Sequence, residues 1–123
     1  NLLSNAIKYT PAGGSGSLCV GVERDRCRVV VADTGPGIPA TLRERVFDEF
    51  FRAPRSTSSG AGIGLASSRR LARCLGGDVA VRDRPGGGSV FELWLPSAQT
   101  LAPTDVSTRH AAPLGRLDGP SPA

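Results

Sequence analysis

One helical face and two glycine-rich segments carry the residues of this sequence that are best suited to chemistry. At about 100° per residue, Asn1, Asn5, Lys8 and Tyr9 lie together on one face of a predicted helix. An amide oxygen suits a hard cation, and the compact ammonium of Lys8, the only lysine of the chain, suits phosphate oxygens. Taken alone, such a face is also the ordinary solvated side of an amphipathic helix.

Glycines cluster twice in the sequence. Gly35 and Gly37 follow Asp33, and Gly60, Gly62 and Gly64 come directly before a helical segment. Because these positions have no side chain, backbone N–H groups and a helix N-terminus can come close to an anion. Each cluster alone is also typical of ordinary turns, and Asp33 alone is typical of the start of a turn. Together with the polar helical face, the two clusters favour a phosphate ligand.

Three segments have the periodicity of helices that would position these residues. Within residues 1–10, five residues lie on one predicted packing face: Leu2, Leu3, Ala6, Ile7 and Thr10. Residues 40–47 are predicted to form a short helix after Pro39. Residues 63–75 place a second set on one face, with Arg69 and Arg73 opposite: Ile63, Ser67, Leu71, Cys74 and Leu75. We expect both longer helices to pack through these faces.

Alternating apolar residues predict four strands. Residues 18–22 and 27–33 are expected to form an antiparallel hairpin with a turn near residues 24–26. Residues 79–81 and 91–95 are two further strands, separated by a turn of three glycines at residues 86–88. The pattern therefore predicts an α+β fold with helices on one face of a mixed sheet.

The chain of 123 residues is long enough for one small domain. Residues 1–96 are assigned to that domain. Residues 97–123 are rich in Pro, Ala, Ser and Thr without a sustained apolar period, so we expect a disordered tail. The chain begins with Asn1 rather than Met, which is expected of a piece of a longer protein.

Several classes of function are disfavoured by composition. A Walker-type phosphate loop is absent, and the three cysteines have no metal-ligand spacing to each other or to His110. Their scattered placement predicts reduced core thiols and a cytoplasmic location. The basic balance of +4 lacks the aromatic residues that stack bases, so we expect no nucleic-acid contact. No apolar run is long enough for a membrane helix, so this segment is expected to make no membrane contact.

Four segments resemble, in the same order, the N, G1, F and G2 boxes of sensor histidine kinases: residues 1–11, 33–39, 46–52 and 60–65. Two closing segments are also similar to that family, Leu75-Gly76-Gly77 and the stretch from Gly88-Ser89 to Pro96, with Ser89 where the family has threonine. The resemblance covers essentially residues 1–96. It implies a Bergerat (GHKL-type) α/β sandwich with a mostly antiparallel sheet. The family domain normally has a helix and a strand before the N box, which this sequence lacks.

The resemblance also implies a role for individual residues. Asn5 would ligate Mg²⁺, Lys8 would meet phosphate, Tyr9 would lie along ATP, and Asp33 would accept a hydrogen bond from the adenine amino group. Arg52 would act near the terminal phosphates, so the implied catalytic residues are Asn5, Lys8 and Arg52. Residues 52–60 would form a lid over the nucleotide, with Phe47 and Phe50 as anchors. The implied nucleotide-binding residues are Asn1, Asn5, Lys8, Tyr9, Asp33, Gly35, Gly37, Ile38, Phe47, Gly60, Gly62, Gly64, Leu65 and Ser89.

The implied activity is transfer of the γ-phosphate of ATP to a histidine on a separate dimerisation domain, upstream in a parent protein that is either soluble or membrane-anchored. The implied later partner is the receiver domain of a response regulator. Asn1 stands where related ATPases carry a water-activating glutamate, which favours a kinase over an ATPase. His110, in the tail, is expected to be a spectator. Two alternatives stay open: an inactive nucleotide-binding fragment and a serine kinase of the anti-sigma type.

Overall fold

The computed structural model describes residues 1–52 and 63–97, together with the backbone of residues 117–118. The helices are α1 (Leu2–Tyr9) and α2 (Gly64–Cys74). The strands are β1 (Gly16–Glu23), β2 (Arg26–Asp33), β3 (Asp78–Asp83), β4 (Ser89–Pro96) and β5 (Leu117–Asp118). The sheet order is β3-β4-β2-β1-β5, and all described strand pairs are antiparallel. The α+β prediction is confirmed, with no parallel pair among the described strands.

The core lies between one face of the sheet and the two helices. Val31 is paired with Phe91 across β2 and β4, and their side chains therefore point to the same face. These two residues and Val79 form one buried cluster with Leu2 of α1 and Ala72 of α2. The helices thus cover a single face of the sheet, as the strand pattern predicts. Within the described residues, neither helix is long and apolar enough to cross a membrane.

Helix α1 packs through a narrower face than the sequence predicts. Leu2 and Ala6 are buried, whereas Leu3 and Ile7 are 48% and 73% exposed. Leu2 and Ala6 are one helical turn apart and point at the sheet, which leaves Leu3 and Ile7 on its flank. There they line an open groove of about 470 Å³ between α1 and the start of β1. The prediction that all the apolar residues of α1 pack together was therefore wrong for these two.

Helix α2 uses a different face from the predicted one. Leu71 and Leu75 are 64% and 60% exposed, and Cys74 is exposed as well. The buried residues are Ala66 and Ala72, between which the side chain of Arg69 is only 14% exposed. Small residues allow the helix to approach the sheet closely, so the face richest in large apolar residues is turned outward. The helix ends at Cys74, and the predicted stop residue Gly76 follows the C-cap Leu75 with φ +85°.

The predicted short helix at residues 40–47 is instead a pair of single 3₁₀ turns, Ala40–Leu42 and Arg45–Phe47. The chain becomes extended at Asp48, where ψ is 140°, so neither turn continues into an α-helix. Phe50, further along, has φ +64° and is 69% exposed. Its expected role as a lid anchor therefore has no support from core packing.

The cysteines and the tail depart in part from their predictions. All three cysteines are free thiols, but Cys19 and Cys74 are exposed, so the prediction of core thiols was wrong for these two. Two tail residues, Leu117–Asp118, form β5 and pair with Leu18 and Ser17 of β1. Unpaired backbone groups on an edge strand can pair with such segments, and the disordered state of the tail stays a prediction. The remaining tail, including His110, lies outside the described residues.

A side-chain cluster centred on Arg69 holds α2 against the 3₁₀ turn and β3. The Arg69 guanidinium lies 2.9 Å from a carboxylate oxygen of Glu44 and 3.1 Å from Asp78 Oδ1. It also stacks over Phe47, at 4.5 Å from the ring centroid. Burial opposes ionisation of Asp78, but hydrogen bonds from Arg73, the Val79 N–H and Arg69 outweigh it and lower the pKa of its carboxyl.

Because the pKa of Asp78 is lower in the folded chain than in the unfolded chain, this carboxylate stabilises the fold above its ordinary pKa of about 4. That contribution is lost as the pH falls through the folded-state pKa. We expect the difference in free energy of unfolding between wild type and Asp78→Asn to be constant near neutrality and to shrink below about pH 4. Urea titrations between pH 6 and pH 3 measure it. The exposed Asp48→Asn variant is the control, and a difference that persists undiminished at pH 3 would contradict the assignment.

Candidate nucleotide site

Asp33, the last residue of β2, is a buried carboxylate whose two oxygens differ in their partners. Its side chain belongs to a residue that is only 5% exposed. Oδ1 accepts hydrogen bonds from the N–H groups of Gly35 and Ser89, at 2.9 and 3.4 Å. In the described part of the chain, the other carboxylate oxygen has no hydrogen-bond partner. No fully buried side-chain nitrogen or oxygen of the described residues lacks a partner, so this oxygen is not sealed in the core and is suited to accept a donor from a ligand.

Three glycines allow backbone segments to pack closely around Asp33. Gly88 has φ +105°, and a Cβ atom there would lie 1.8 Å from the Asp33 carbonyl oxygen. A Cβ on Gly35 would lie 2.9 Å from Asp33 Oδ1 and 3.0 Å from the carbonyl oxygen of Tyr9. Gly37 has φ +74° and faces the backbone of Gly88. The predicted residues Asp33, Gly35 and Gly37 are thus brought together with Ser89.

Helix α1 presents its predicted polar face next to this site. Its C-terminal end contacts the Asp33 turn through the Tyr9 carbonyl. Asn5 is half-buried, and its side chain makes no hydrogen bond to any other described residue. Lys8 is exposed, with its Nζ atom 5.7 Å from the centroid of the Tyr9 ring, and Tyr9 is 40% exposed. The amide, the ammonium and the aromatic ring therefore occupy one accessible surface.

At the other end of α1, Asn1 contacts helix α2. Its Nδ2 atom donates to the Gly64 carbonyl at 3.0 Å and to Ser68 Oγ at 2.9 Å. Ser68 Oγ itself donates to the Gly64 carbonyl at 2.8 Å. Two predicted residues, Asn1 and Gly64, are therefore in direct contact, and both face Ser68, which the sequence did not indicate.

The other predicted residues fall into three groups. Phe47 is buried and packs edge-to-face on Phe91 with ring centroids 6.4 Å apart. Ile38 and Leu65 are partly buried and pack against the same cluster, so all three belong to the core or its edge. Arg52 is exposed, and the predicted residues Gly60 and Gly62 lie outside the described residues, as does most of the expected lid.

Sequence reasoning missed a link between the loop after α1 and the turn after Asp33. Thr34 Oγ1 accepts a hydrogen bond from the Ser15 N–H at 2.8 Å and donates to the Ser15 carbonyl at 3.2 Å. The Thr34 N–H also donates to that carbonyl at 3.0 Å. A threonine in the first turn position after an aspartate has no distinctive sequence signal, because its partner comes from a distant loop.

The donor set fits a magnesium ion held jointly with phosphates. Mg²⁺ is commonly bound through one or two protein oxygens, with waters and substrate phosphates completing the shell. The Asn5 amide, which has no partner in the described residues, can supply one such oxygen. Residues 1–52 and 63–97 contain no cluster of three or more His, Cys, Asp or Glu residues that could hold an ion by themselves. Any magnesium ion here therefore depends on ligand oxygens.

The fold and the site together define a two-layer α+β domain with a carboxylate and a cluster of glycines at the end of β2. The family of histidine kinase-, DNA gyrase B- and HSP90-like ATPases matches residues 1–99. The sensor histidine kinase AruS of Pseudomonas aeruginosa is 40% identical in an alignment that covers 96% of this chain and 12% of AruS. The adaptive-response sensory kinase SasA of Nostoc is 44% identical over 78% of this chain. The chain spans about a quarter of the length of SasA.

Solved structures agree with these matches. The mycobacterial sensor histidine kinase MprB has a TM-score of 0.71 at 32% identity, over 77% of this chain and 66% of that one. ShkA in complex with AMPPNP has a TM-score of 0.67 at 38% identity, over 77% and 19% of the two chains. ThkA in complex with the response regulator TrrA has a TM-score of 0.65 at 30% identity, over 79% and 26%.

The chain therefore belongs to the histidine kinase-, DNA gyrase B- and HSP90-like ATPase family. Within it, the relatives and structural neighbours are sensor histidine kinases, and the chain is a catalytic, ATP-binding domain of that kind. The family prediction made from the four boxes is confirmed.

Proposed function

We propose that this domain binds Mg-ATP and donates its γ-phosphate to a histidine on a separate dimerisation domain in two-component signalling. The observation that carries the proposal is the state of Asp33. One of its oxygens is held by two backbone N–H groups, while the other has no hydrogen-bond partner among the described residues. Such a carboxylate is prepared to accept a hydrogen bond from an amino group.

The adenine amino group is the donor that this oxygen would accept. A guanine ring would place a carbonyl oxygen there, so the carboxylate would lose a hydrogen bond and be repelled. A charge-assisted hydrogen bond is worth roughly 1.5 to 3 kcal/mol, which corresponds to on the order of tenfold to a hundredfold in affinity. ATP is accordingly the nucleotide that we assign to the site, with Tyr9 alongside it. AMPPNP bound to the relative ShkA supports this choice of ligand.

The phosphate end of the nucleotide is assigned to the polar face of α1 and to the glycine segment before α2. Lys8 would neutralise phosphate oxygens, and the Asn5 amide oxygen would hold Mg²⁺ together with them. A bound magnesium ion withdraws charge from the phosphates and lowers the cost of charge that develops during transfer. Arg52 would act from the segment that follows the 3₁₀ turns. Phosphoryl transfer needs mainly this positioning and neutralisation.

A histidine acceptor fits the absence of a base at Asn1. An asparagine amide cannot accept a proton from water, and the Asn1 amide nitrogen already donates to α2. An imidazole supplies its own lone pair, which would attack the γ-phosphorus as the bond to the bridging oxygen of ADP breaks. The domain therefore has equipment for transfer to histidine rather than for hydrolysis.

The partners follow from the same chemistry. The phosphoacceptor histidine is assigned to a dimerisation domain of the parent protein, and the phosphate would then pass to a response regulator receiver domain. ThkA, a structural neighbour of this chain, has been solved with the response regulator TrrA, which supports that partner class. Because ATP is the donor, we assign the domain to the cytoplasm.

Incubation with Mg-ATP labelled on the γ-phosphate tests the proposal, with the dimerisation domain of a related sensor histidine kinase as acceptor. We expect label on the acceptor that is lost in acid and retained in base, as for phosphohistidine. An acceptor with its histidine replaced by alanine is the control and should stay unlabelled. Acid-stable label would indicate a serine kinase, and ATP binding without transfer would indicate an inactive nucleotide-binding domain.

A further inference from the structure

We propose that Ser68 is a positioning residue for the phosphate end of the nucleotide, acting through Asn1. The inference rests on the proposed function and adds to it a residue that neither the sequence motifs nor the comparisons indicate. Ser68 lies in the first turns of α2, whereas Asn5 and Lys8, the groups assigned to magnesium and phosphate, lie on α1. A contact between the two helices would set the position of one relative to the other.

The hydrogen bonds between the helices account for every donor involved. The two hydrogens of the Asn1 amide go to the Gly64 carbonyl and to Ser68 Oγ, at 3.0 and 2.9 Å. The Ser68 hydroxyl hydrogen goes to the Gly64 carbonyl at 2.8 Å, which leaves the oxygen lone pairs to accept from Asn1. The three groups thus form a closed network. It joins Asn1 to two residues that lie 63 and 67 positions later in the chain.

The Asn1 side chain packs against the backbone of Gly64, at a distance that would leave a Cβ atom in ordinary van der Waals contact. A Cβ atom at Gly64 would lie 3.4 Å from Asn1 Cγ and 3.5 Å from Asn1 Oδ1. The asparagine amide therefore rests directly on the first turn of α2. Gly64 is the last glycine of the second glycine cluster, so this contact places the end of that cluster beside Asn1.

Helix α1 is fixed at both ends by these contacts. At its C-terminal end, the Tyr9 carbonyl packs against Gly35 in the turn after Asp33. At its N-terminal end, Asn1 is held by α2. Asn5 lies one helical turn after Asn1, and its direction depends on the tilt of the helix between the two fixed ends. Removing the Asn1 to Ser68 bond would loosen only the end that is remote from Asp33, where Asn1 keeps its bond to the Gly64 carbonyl.

This division predicts which ligands should respond. The adenine acceptor Asp33 is held by Gly35 and Ser89, which are not part of the network around Ser68. A change at Ser68 should therefore weaken Mg-ATP more than adenosine, which lacks phosphates. A purely structural role would instead lower stability and weaken both ligands alike. The serine bond to the carbonyl four residues earlier is common in helices, so a local role is the alternative to be excluded.

Calorimetric titration of the full chain with Mg-ATP and with adenosine tests the inference. For Ser68→Ala we expect binding of Mg-ATP to weaken about 2- to 10-fold, the loss typical of one hydrogen bond, with adenosine nearly unchanged. Ser67→Ala, the same change one position earlier, is the matched control. Ser68→Thr keeps the hydroxyl and should restore affinity. Equal weakening of both ligands, or an equal effect of Ser67→Ala, would overturn the positioning role.

A double-variant cycle of stability keeps the two proposals distinguishable. If Asn1 and Ser68 share a bond, the decreases in urea midpoint caused by Asn1→Ala and by Ser68→Ala should not add. The double variant should then resemble the single variants. Additive midpoints would overturn the link, whatever nucleotide binding shows. A wild type that binds no Mg-ATP despite a non-additive cycle would refute the proposed function and, with it, the positioning role, while leaving the helix contact.

Discussion

Replacing Asp33 by asparagine is expected to weaken Mg-ATP binding by tenfold to more than a hundredfold while leaving the fold intact. The N–H groups of Gly35 and Ser89 both donate to Oδ1, so the oxygen of an asparagine amide would be held at that position. Its NH₂ group would then replace the carboxylate oxygen that has no partner among the described residues. The amide NH₂ donor of the variant would face the adenine amino donor. The complex would then lose a charge-assisted hydrogen bond of about 1.5 to 3 kcal/mol and gain a repulsive contact.

Calorimetry on wild type and Asp33→Asn measures this loss, with thermal unfolding to verify that both proteins are folded. Asp25→Asn is the matched control, since Asp25 precedes β2 and lies at the end of that strand opposite Asp33. We expect Asp25→Asn to bind like wild type. Unchanged ATP affinity in a folded Asp33→Asn variant would show that this carboxylate does not contact the base.

The second large effect is expected at Gly88, where the backbone approaches Asp33. An alanine Cβ would lie 1.8 Å from the Asp33 carbonyl oxygen, which is far inside van der Waals contact with a backbone atom that cannot rotate away. The positive φ of +105° adds a conformational cost of about 1 to 3 kcal/mol for a residue with a side chain. Relief of the clash by a backbone shift costs a further amount of about 1 to 3 kcal/mol.

Gly87→Ala separates the two contributions. Gly87 has a nearly identical φ of +108°, but a Cβ atom there would meet nothing within 4 Å. Urea unfolding should therefore show a moderate loss for Gly87→Ala and a larger one, or no folded protein, for Gly88→Ala. Equal losses would mean that backbone conformation, rather than close packing on Asp33, explains the glycine at residue 88.

The family and the strand order of the hairpin could be predicted from sequence because their signals are local. The glycine boxes and the alternation in β2 are read from neighbouring residues, and Asp33 does end that strand. The packing face of α2 could not be read in this way. Hydrophobicity alone favours burial of Leu71, whereas the structure buries Arg69 because Glu44, Asp78 and the Phe47 ring surround it.

Contacts between distant segments account for the rest of what sequence reasoning missed. Ser68 contacts Asn1, and Thr34 contacts the Ser15 backbone. The residue types serine and threonine alone do not indicate such distant hydrogen-bond partners. Gly88 was expected as part of a turn and of a segment similar to the family, but its close approach to the Asp33 carbonyl depends on how β4 lies beside β2. The candidate ligand groups can therefore be proposed from the sequence, whereas the contacts that hold them in place cannot.

The most direct test of the central claim is titration of the wild-type chain with Mg-ATP and Mg-GTP by calorimetry, after circular dichroism has verified folding. The carboxylate at the base pocket predicts that Mg-ATP binds at least about tenfold more tightly than Mg-GTP. Equal affinity for the two nucleotides, or binding of neither by a folded chain, would contradict the assignment of an adenine site at Asp33.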